Sequence, residues 1–392
     1  MFCSFPPPDG KDSLRSLCLV SHQTLPSARR ALYYRPFSDF FLRRNLWRSA
    51  STLLHTLEKE GGLGQLVRDT NGIRNWLGSM DLQAFERHEP PRKIAVWYFR
   101  ILRACPRLEQ VDFGFETEDD LSIVVRALHL GPPSLNTDSY SDPSSIRSIR
   151  LMTFPSGHIS DVKEVLEALK RSPLRRLETL EIDRASQFES RNCNSPQLPF
   201  PIRNIKIKAS FETMDSWFGF FPRTPSNLEH FSYNGFPRWE DTDLQELSTI
   251  LGTNLKSLSL EFRRYPQHGF IRFSPALPFT AFVSLPHLNS LTLCNAHGPS
   301  LRLLETLAQF SPLLSDISFK GSHWVADSSR HSILPNDIFP STQVIATLRH
   351  FRHLRSINLG HLPTRDALEY TFMEIQEQGV AVLWAPDDRA AI

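Results

Sequence analysis

Five groups of residues in this chain have types and spacings that could do chemistry. His350-x-x-His353 offers two imidazoles one helical turn apart, a spacing that zinc sites use. A metal site needs a third ligand, and no Cys or carboxylate follows at ligand spacing, so solvated histidines are expected. Glu116-x-Glu118-Asp119-Asp120 and Glu240-Asp241-x-Asp243 bring carboxylates together as a general acid and base require. Both stand just ahead of helical patterns, where negative charge favours the helix dipole, and capping is the expected role. Gly61-Gly62-Leu63-Gly64 lacks the spacing that cradles a phosphate and reads as a turn. The basic series Arg29, Arg30, Arg35, Arg43, Arg44 and Arg48 is interleaved with Leu, Phe and Tyr and reads as a solvated helix face. With no nucleophile elbow, phosphate loop or dinucleotide fingerprint either, no enzyme and no cofactor is expected.

The elements that carry these residues are short. In 392 residues there are 29 Pro and 28 Phe, and proline interrupts both helices and central strands. Apolar residues are 40% and charged residues 22% of the chain, as in ordinary folded proteins, and the formal charge of +2 gives no field directed at nucleic acid or membrane. Cys3, Cys18, Cys105, Cys193 and Cys294 are odd in number and widely spaced, so reduced thiols in an intracellular protein, cytoplasmic or nuclear, are expected. The opening residues through Asp9 lack the basic and apolar regions of a signal peptide. The uncharged stretch 274–301 is cut by Pro275, Pro278, Pro286 and Pro299 and does not read as a membrane span.

The organising signal is a repeat, apolar-x-x-apolar-x-apolar. It stands at Leu108/Val111/Phe113, Ile146/Ile149/Leu151, Leu177/Leu180/Ile182, Ile202/Ile205/Ile207 and Leu228/Phe231/Tyr233. It returns at Leu255/Leu258/Leu260, Leu288/Leu291/Leu293, Leu314/Ile317/Phe319 and Leu354/Ile357/Leu359, with Val380-Ala381-Val382 as a tenth, terminal strand. The last two positions alternate, placing both side chains on one face of a strand, and the first sits on the turn leading into it. Helical patterns lie between copies, at 120–128, 161–169, 243–251, 300–310, 342–351 and 364–378. Intervals between copies run 38, 31, 25, 26, 27, 33, 26 and 40 residues, the long ones holding turn-rich insertions at 131–145, 265–280 and 321–341. One such unit cannot bury its apolar face alone, so neighbours must stack. The expected fold is α/β: a short helical amino-terminal region over 1–60, then an irregular leucine-rich-repeat-like solenoid over 61–392 without the usual closing Asn or Cys. Its concave strand face would carry the residue between the two strand positions: Glu181, Lys206, Ser232, Ser259, Thr292, Ser318 and Asn358. Trp76, Trp97, Trp217, Trp239, Trp324 and Trp384 read first as core or loop anchors; Trp239 and Trp324 follow strand copies and would lie near the rim, where contact with a partner is the alternative.

Residues 14–37 read as two short amphipathic helices, the second starting at Ser27 behind Pro26. Leu14, Leu17, Cys18, Leu19, Val20, Ser21, Ala28, Leu32 and Tyr33 resemble the second half of an F-box, and 53–57 and 63–68 resemble the segments downstream of the F-box in fungal F-box/leucine-rich-repeat proteins. The family's opening Leu-Pro-x-Glu helix is not matched; Phe5-Pro6-Pro7-Pro8-Asp9-Gly10 occupies that space, as if the start were truncated or the ligase link lost. The resemblance implies a substrate-recognition subunit of a cullin-type ubiquitin ligase. Leu14, Leu17, Leu19, Val20 and Leu32 would face a Skp-type adaptor, and the solenoid would hold a protein target. The alternative expectation is a ligase-independent repeat scaffold.

Overall fold

The structure is a computed structural model. It describes residues within 25–34, 53–69, 100–115, 146–153, 174–185, 202–209, 227–235, 251–262, 282–295, 299–324, 341–362 and 372–386. The patterns at 120–128 and 161–169, nearly all of 243–251, and the insertions at 131–145 and 265–280 lie outside the described residues, as do Cys3, Cys18 and Cys193. Apart from 160–162, the chain divides into two compact units between Ile182 and Asp183.

The first unit holds helix α1 (Leu25–Tyr34), strands β1 (Gln110–Phe115) and β2 (Ser148–Thr153), and the opening residues of β3 (Thr179–Ala185). Helix α1 begins two residues before the expected Ser27; its Ala28 is buried and its Arg30 exposed. A helical turn over 53–58 buries Leu54 and Leu57, and its Glu58 pairs with Arg100 at 2.7 Å. Gly64, in the glycine cluster, opens a short 3-10 turn, Gly64–Leu66. A Cβ there would overlap the Ala104 carbonyl, so glycine is required for close approach of the two backbones.

The second unit holds β4 (Asn204–Ala209), β5 (His230–Gly235), β6 (Ser257–Phe262), β7 (Ser290–Cys294), helix α2 (Leu301–Phe310), β8 (Asp316–Ser318), helix α3 (Ser341–Leu348), β9 (Ser356–Leu362) and β10 (Ala381–Pro386). Strands in each unit pair in chain order, and every pairing whose register is described is parallel. All nine repeat copies form strands, and β10 is the tenth.

Each copy's three apolar residues are buried, without exception from Leu108 to Leu359. They stack in register: Ile205, Phe231, Leu258, Leu291, Ile317, Ile357 and Val382 form one row of the core. Fully burying such a side chain contributes roughly 1.5–3 kcal/mol, and no copy could gain that alone. A further buried position precedes each of several copies by three residues, at Cys105, Leu174, Leu285, Ser311 and Phe351. At four of these the carbonyl accepts the N–H of the copy's first apolar residue, closing a tight turn. Ser311 is polar where its equivalents are mostly apolar, and its hydroxyl is satisfied by donating to Leu285 O at 3.0 Å.

Helices α2 and α3 pack against each other. Ser300 caps α2, its Oγ accepting from Leu303 N at 3.2 Å, and Leu303, Leu304 and Leu307 form the buried face. In α3 the buried residues are Val344, Ile345, Thr347 and Leu348, the Thr347 hydroxyl donating to Gln343 O at 2.9 Å. The chain leaving β8 turns back through Gly321, and Trp324 enters the core. The indole is 2% exposed, donates from Nε1 to Leu359 O at 2.7 Å, and meets Phe319 edge-on at 5.9 Å. Trp324 is thus a core anchor and not a rim contact: the buried indole satisfies a carbonyl of β9. Trp239 lies outside the described residues. Gly360 (φ 74°) follows; a Cβ there would overlap Phe319 O and Ser322 O.

Candidate functional site

The face of the second unit's sheet opposite the buried rows is built by the residues between the repeat's two strand positions. The parallel register aligns Lys206, Ser232, Ser259, Thr292, Ser318 and Asn358 across β4 to β9, with Leu383 of β10 beside Asn358. Strands about 4.8 Å apart make this row of six roughly 24 Å long. Lys206 is exposed and the other five are half-buried, because small side chains on a pleated face are shaded by their neighbours. Two further rows flank it: Asn204, His230, Ser257, Ser290, Asp316 and Ser356 before it, and Lys208, Asn234, Glu261 and Cys294 after it. The surface is therefore rich in hydroxyls and carboxamides, each a donor and an acceptor.

Several of these groups are fixed by one another. Asp316 accepts from Ser315 Oγ at 2.6 Å and Ser356 Oγ at 2.7 Å; those hydroxyls hold its carboxyl below the usual range, with burial opposing. Asn358 Oδ1 accepts from Gly360 N at 2.9 Å, fixing the turn inside β9. Asn234 donates to Glu261. Glu181, the seventh candidate, lies in the first unit. Its carboxylate is 3.1 Å from Arg150 Nε, and Arg150 is in register with Asp112 of β1. The six residues of the second unit thus form one row, while Glu181 belongs to an ionic cluster.

Leu14, Leu17, Leu19 and Val20 lie outside the described residues, and Leu32 falls within α1. His350 and His353 are both exposed, and no group of three or more His, Cys, Asp or Glu among the described residues could hold a metal. Neither Cys105 nor Cys294 is in a disulfide; burial pushes the Cys105 thiol up to about 12, which makes it unreactive.

A second feature is absent from the sequence expectations. It lies at the leading ends of the strands, where the residue after the first apolar position of most copies, and after the buried Val67, extends its carbonyl to the next copy. Arg68 O, Glu109 O and Arg147 O each accept two N–H groups in the first unit; Arg203 O, Glu229 O, Lys256 O, Asn289 O and Ser315 O do so in the second. The side chains at these positions alternate in charge and pair: Arg68 with Glu109 at 3.3 Å, Arg147 with Glu178 at 3.8 Å, and Glu229 with both Arg203 at 3.5 Å and Lys256 at 2.8 Å. The signal is visible in the sequence as Glu109, Arg147, Glu178, Arg203, Glu229 and Lys256, each directly after an apolar repeat residue. In the second unit this edge borders a cleft of about 440 Å³. Arg203, Glu229, Lys256 and Asn289 line it together with Asn227, Asn254, His287 and Leu313, each of these four just before a buried leucine.

No protein-family model matches the chain, and no curated protein matches its sequence. No helix among the described residues is long and apolar enough to cross a membrane.

Proposed function

We propose that this chain is a leucine-rich-repeat-like solenoid that holds a protein target on its open strand face and presents it, through a Skp-type adaptor, to a cullin-type ubiquitin ligase. The observation that carries the target-binding half is the in-register row Lys206, Ser232, Ser259, Thr292, Ser318 and Asn358. Short side chains let a partner approach closely, and their donors and acceptors supply specificity rather than bulk affinity. Support for the adaptor half is the F-box-like pattern of 14–37, with Leu14, Leu17, Leu19, Val20 and Leu32 as the adaptor-facing residues. The protein would perform no bond chemistry and need no cofactor. It would act by raising the concentration of a target beside a charged ubiquitin carrier. Such work belongs in the cytoplasm or nucleus. With a formal charge of +2, neither nucleic acid nor membrane is proposed as a partner.

The test is a pull-down of purified chain with the Skp-type adaptor. Binding by the native chain that is lost in Leu17→Asp and in Val20→Asp, both shown to be folded, supports the ligase role. A folded chain that ignores the adaptor overturns it and leaves a ligase-independent repeat scaffold working through the same strand face.

A further inference from the structure

We propose that the cleft at the leading ends of β4 to β8 is a second binding site, which takes an extended peptide bearing an anionic side chain and, about three residues along, an apolar one. The proposal rests on the reading of this chain as a protein-binding molecule and adds a site on the edge of the sheet, apart from the row on its face.

Charge in the cleft favours an anion. Glu229 is clamped between Arg203 and Lys256, and its carboxyl is held below the usual range, chiefly by the hydrogen bond from Lys256. One carboxylate shared by two cations leaves one positive charge in excess. The side chains of Arg203 and Lys256 are 56% and 49% exposed, and a guanidinium with five donors and an ammonium with three are not exhausted by a single carboxylate. An incoming carboxylate or phosphate group can share them.

The backbone of the cleft leaves recognition to side chains. The carbonyls of Arg203, Glu229, Lys256 and Asn289 already accept two N–H groups each. Asn227 and Asn289 present carboxamides with a donor and an acceptor, the complement of a peptide bond. Apolar contact is confined to Leu313, which is 41% exposed.

Spacing then sets the sequence of the ligand. Lys256 leads into β6 and Leu313 into β8, two strands further on, which is about 10 Å. A peptide in the extended polyproline II conformation covers that distance in about three residues at about 3.1 Å each, and its three residues per turn bring the first and fourth side chains to the same face. The preferred ligand is an acidic or phosphorylated residue, two spacers and a leucine-like residue.

The experiment is fluorescence anisotropy of the full chain with labelled synthetic peptides carrying Glu, phosphoserine or Gln at the first position and Leu or Ser at the fourth. The Glu and phosphoserine peptides with Leu are expected to bind at least about fivefold more tightly than the Gln peptide, the size of a partly exposed charge contact of about 1 kcal/mol. If only one of the two anionic peptides binds, that identifies the source of the charge. Arg203→Gln with Lys256→Gln should erase the preference for anion, and Lys206→Gln, a cation on the open face, should not. Glu229→Gln is the discriminating variant, because it releases both cations and should tighten anionic binding about fivefold. Equal affinity for anionic and neutral peptides, no tightening in Glu229→Gln, or no binding of any peptide would each overturn the proposal. Loss of a target by Ser259→Lys or Thr292→Lys tests the strand face separately, so failure at the cleft and failure of the protein-binding reading are distinguishable.

Discussion

Asp316 sits on the open face with a hydroxyl on either side, from Ser315 and Ser356. Its folded-state carboxyl titrates below its unfolded value, so its contribution to stability is present above the ordinary Asp range of about 4 and is lost as pH falls through the folded value. Asp316→Asn should cost about 1 kcal/mol near neutral pH, with the gap to the native chain closing below about pH 4. Urea unfolding at a series of pH values reads this, and a gap independent of pH would contradict it. Trp324→Phe keeps most of the ring and removes only the donor to Leu359 O. Losing that hydrogen bond to a buried carbonyl should cost about 1–3 kcal/mol, read as a lower denaturation midpoint at unchanged slope.

Within a strand, neighbouring residues answer to different demands. Leu291 and Thr292 are adjacent on β7, one fully buried against Leu258 and Ile317 and the other in the surface row. Leu291→Ala should destabilise by about 2–5 kcal/mol, and Thr292→Ala by less than about 1 kcal/mol. Thermal unfolding of the two variants checks the alternation; equal losses would mean the face is core. This alternation is what made the strands legible in the sequence: a period of two in nine copies marks the burial of every repeat residue, and in β4 to β9 the less buried row between them. Helices α2 and α3 were legible for the same reason, their apolar spacing falling within 300–310 and 342–351. The partner of Trp324 was not, because its place depends on a turn after Ser318 and a carbonyl on β9, contacts that no local periodicity encodes. The charge ladder escaped because its partners stand about 26 to 41 residues apart in the chain and about one strand spacing apart in the sheet.

At the scale of the molecule, the function proposed needs a surface rather than a reactive centre. The strand face supplies six aligned polar side chains, and the sheet edge supplies a charged cleft. The site's position could be read from the sequence because register follows from stacking equivalent residues of each repeat. What could not be read is which of those residues are already engaged, as Glu181 is by Arg150. The central claim is that a protein target docks on the row spanning β4 to β9. Its most direct test is site-specific photocrosslinking in cells of the chain's own source. The photoreactive residue is placed at Ser259 or Thr292 in the row, and at Glu305 on the exposed face of α2 as a control. Docking on the row predicts one discrete protein adduct from both row positions, absent from Glu305 and lost when Ser232→Lys and Ser318→Lys are introduced together. No adduct at the row, or the same adducts from Glu305, would contradict it.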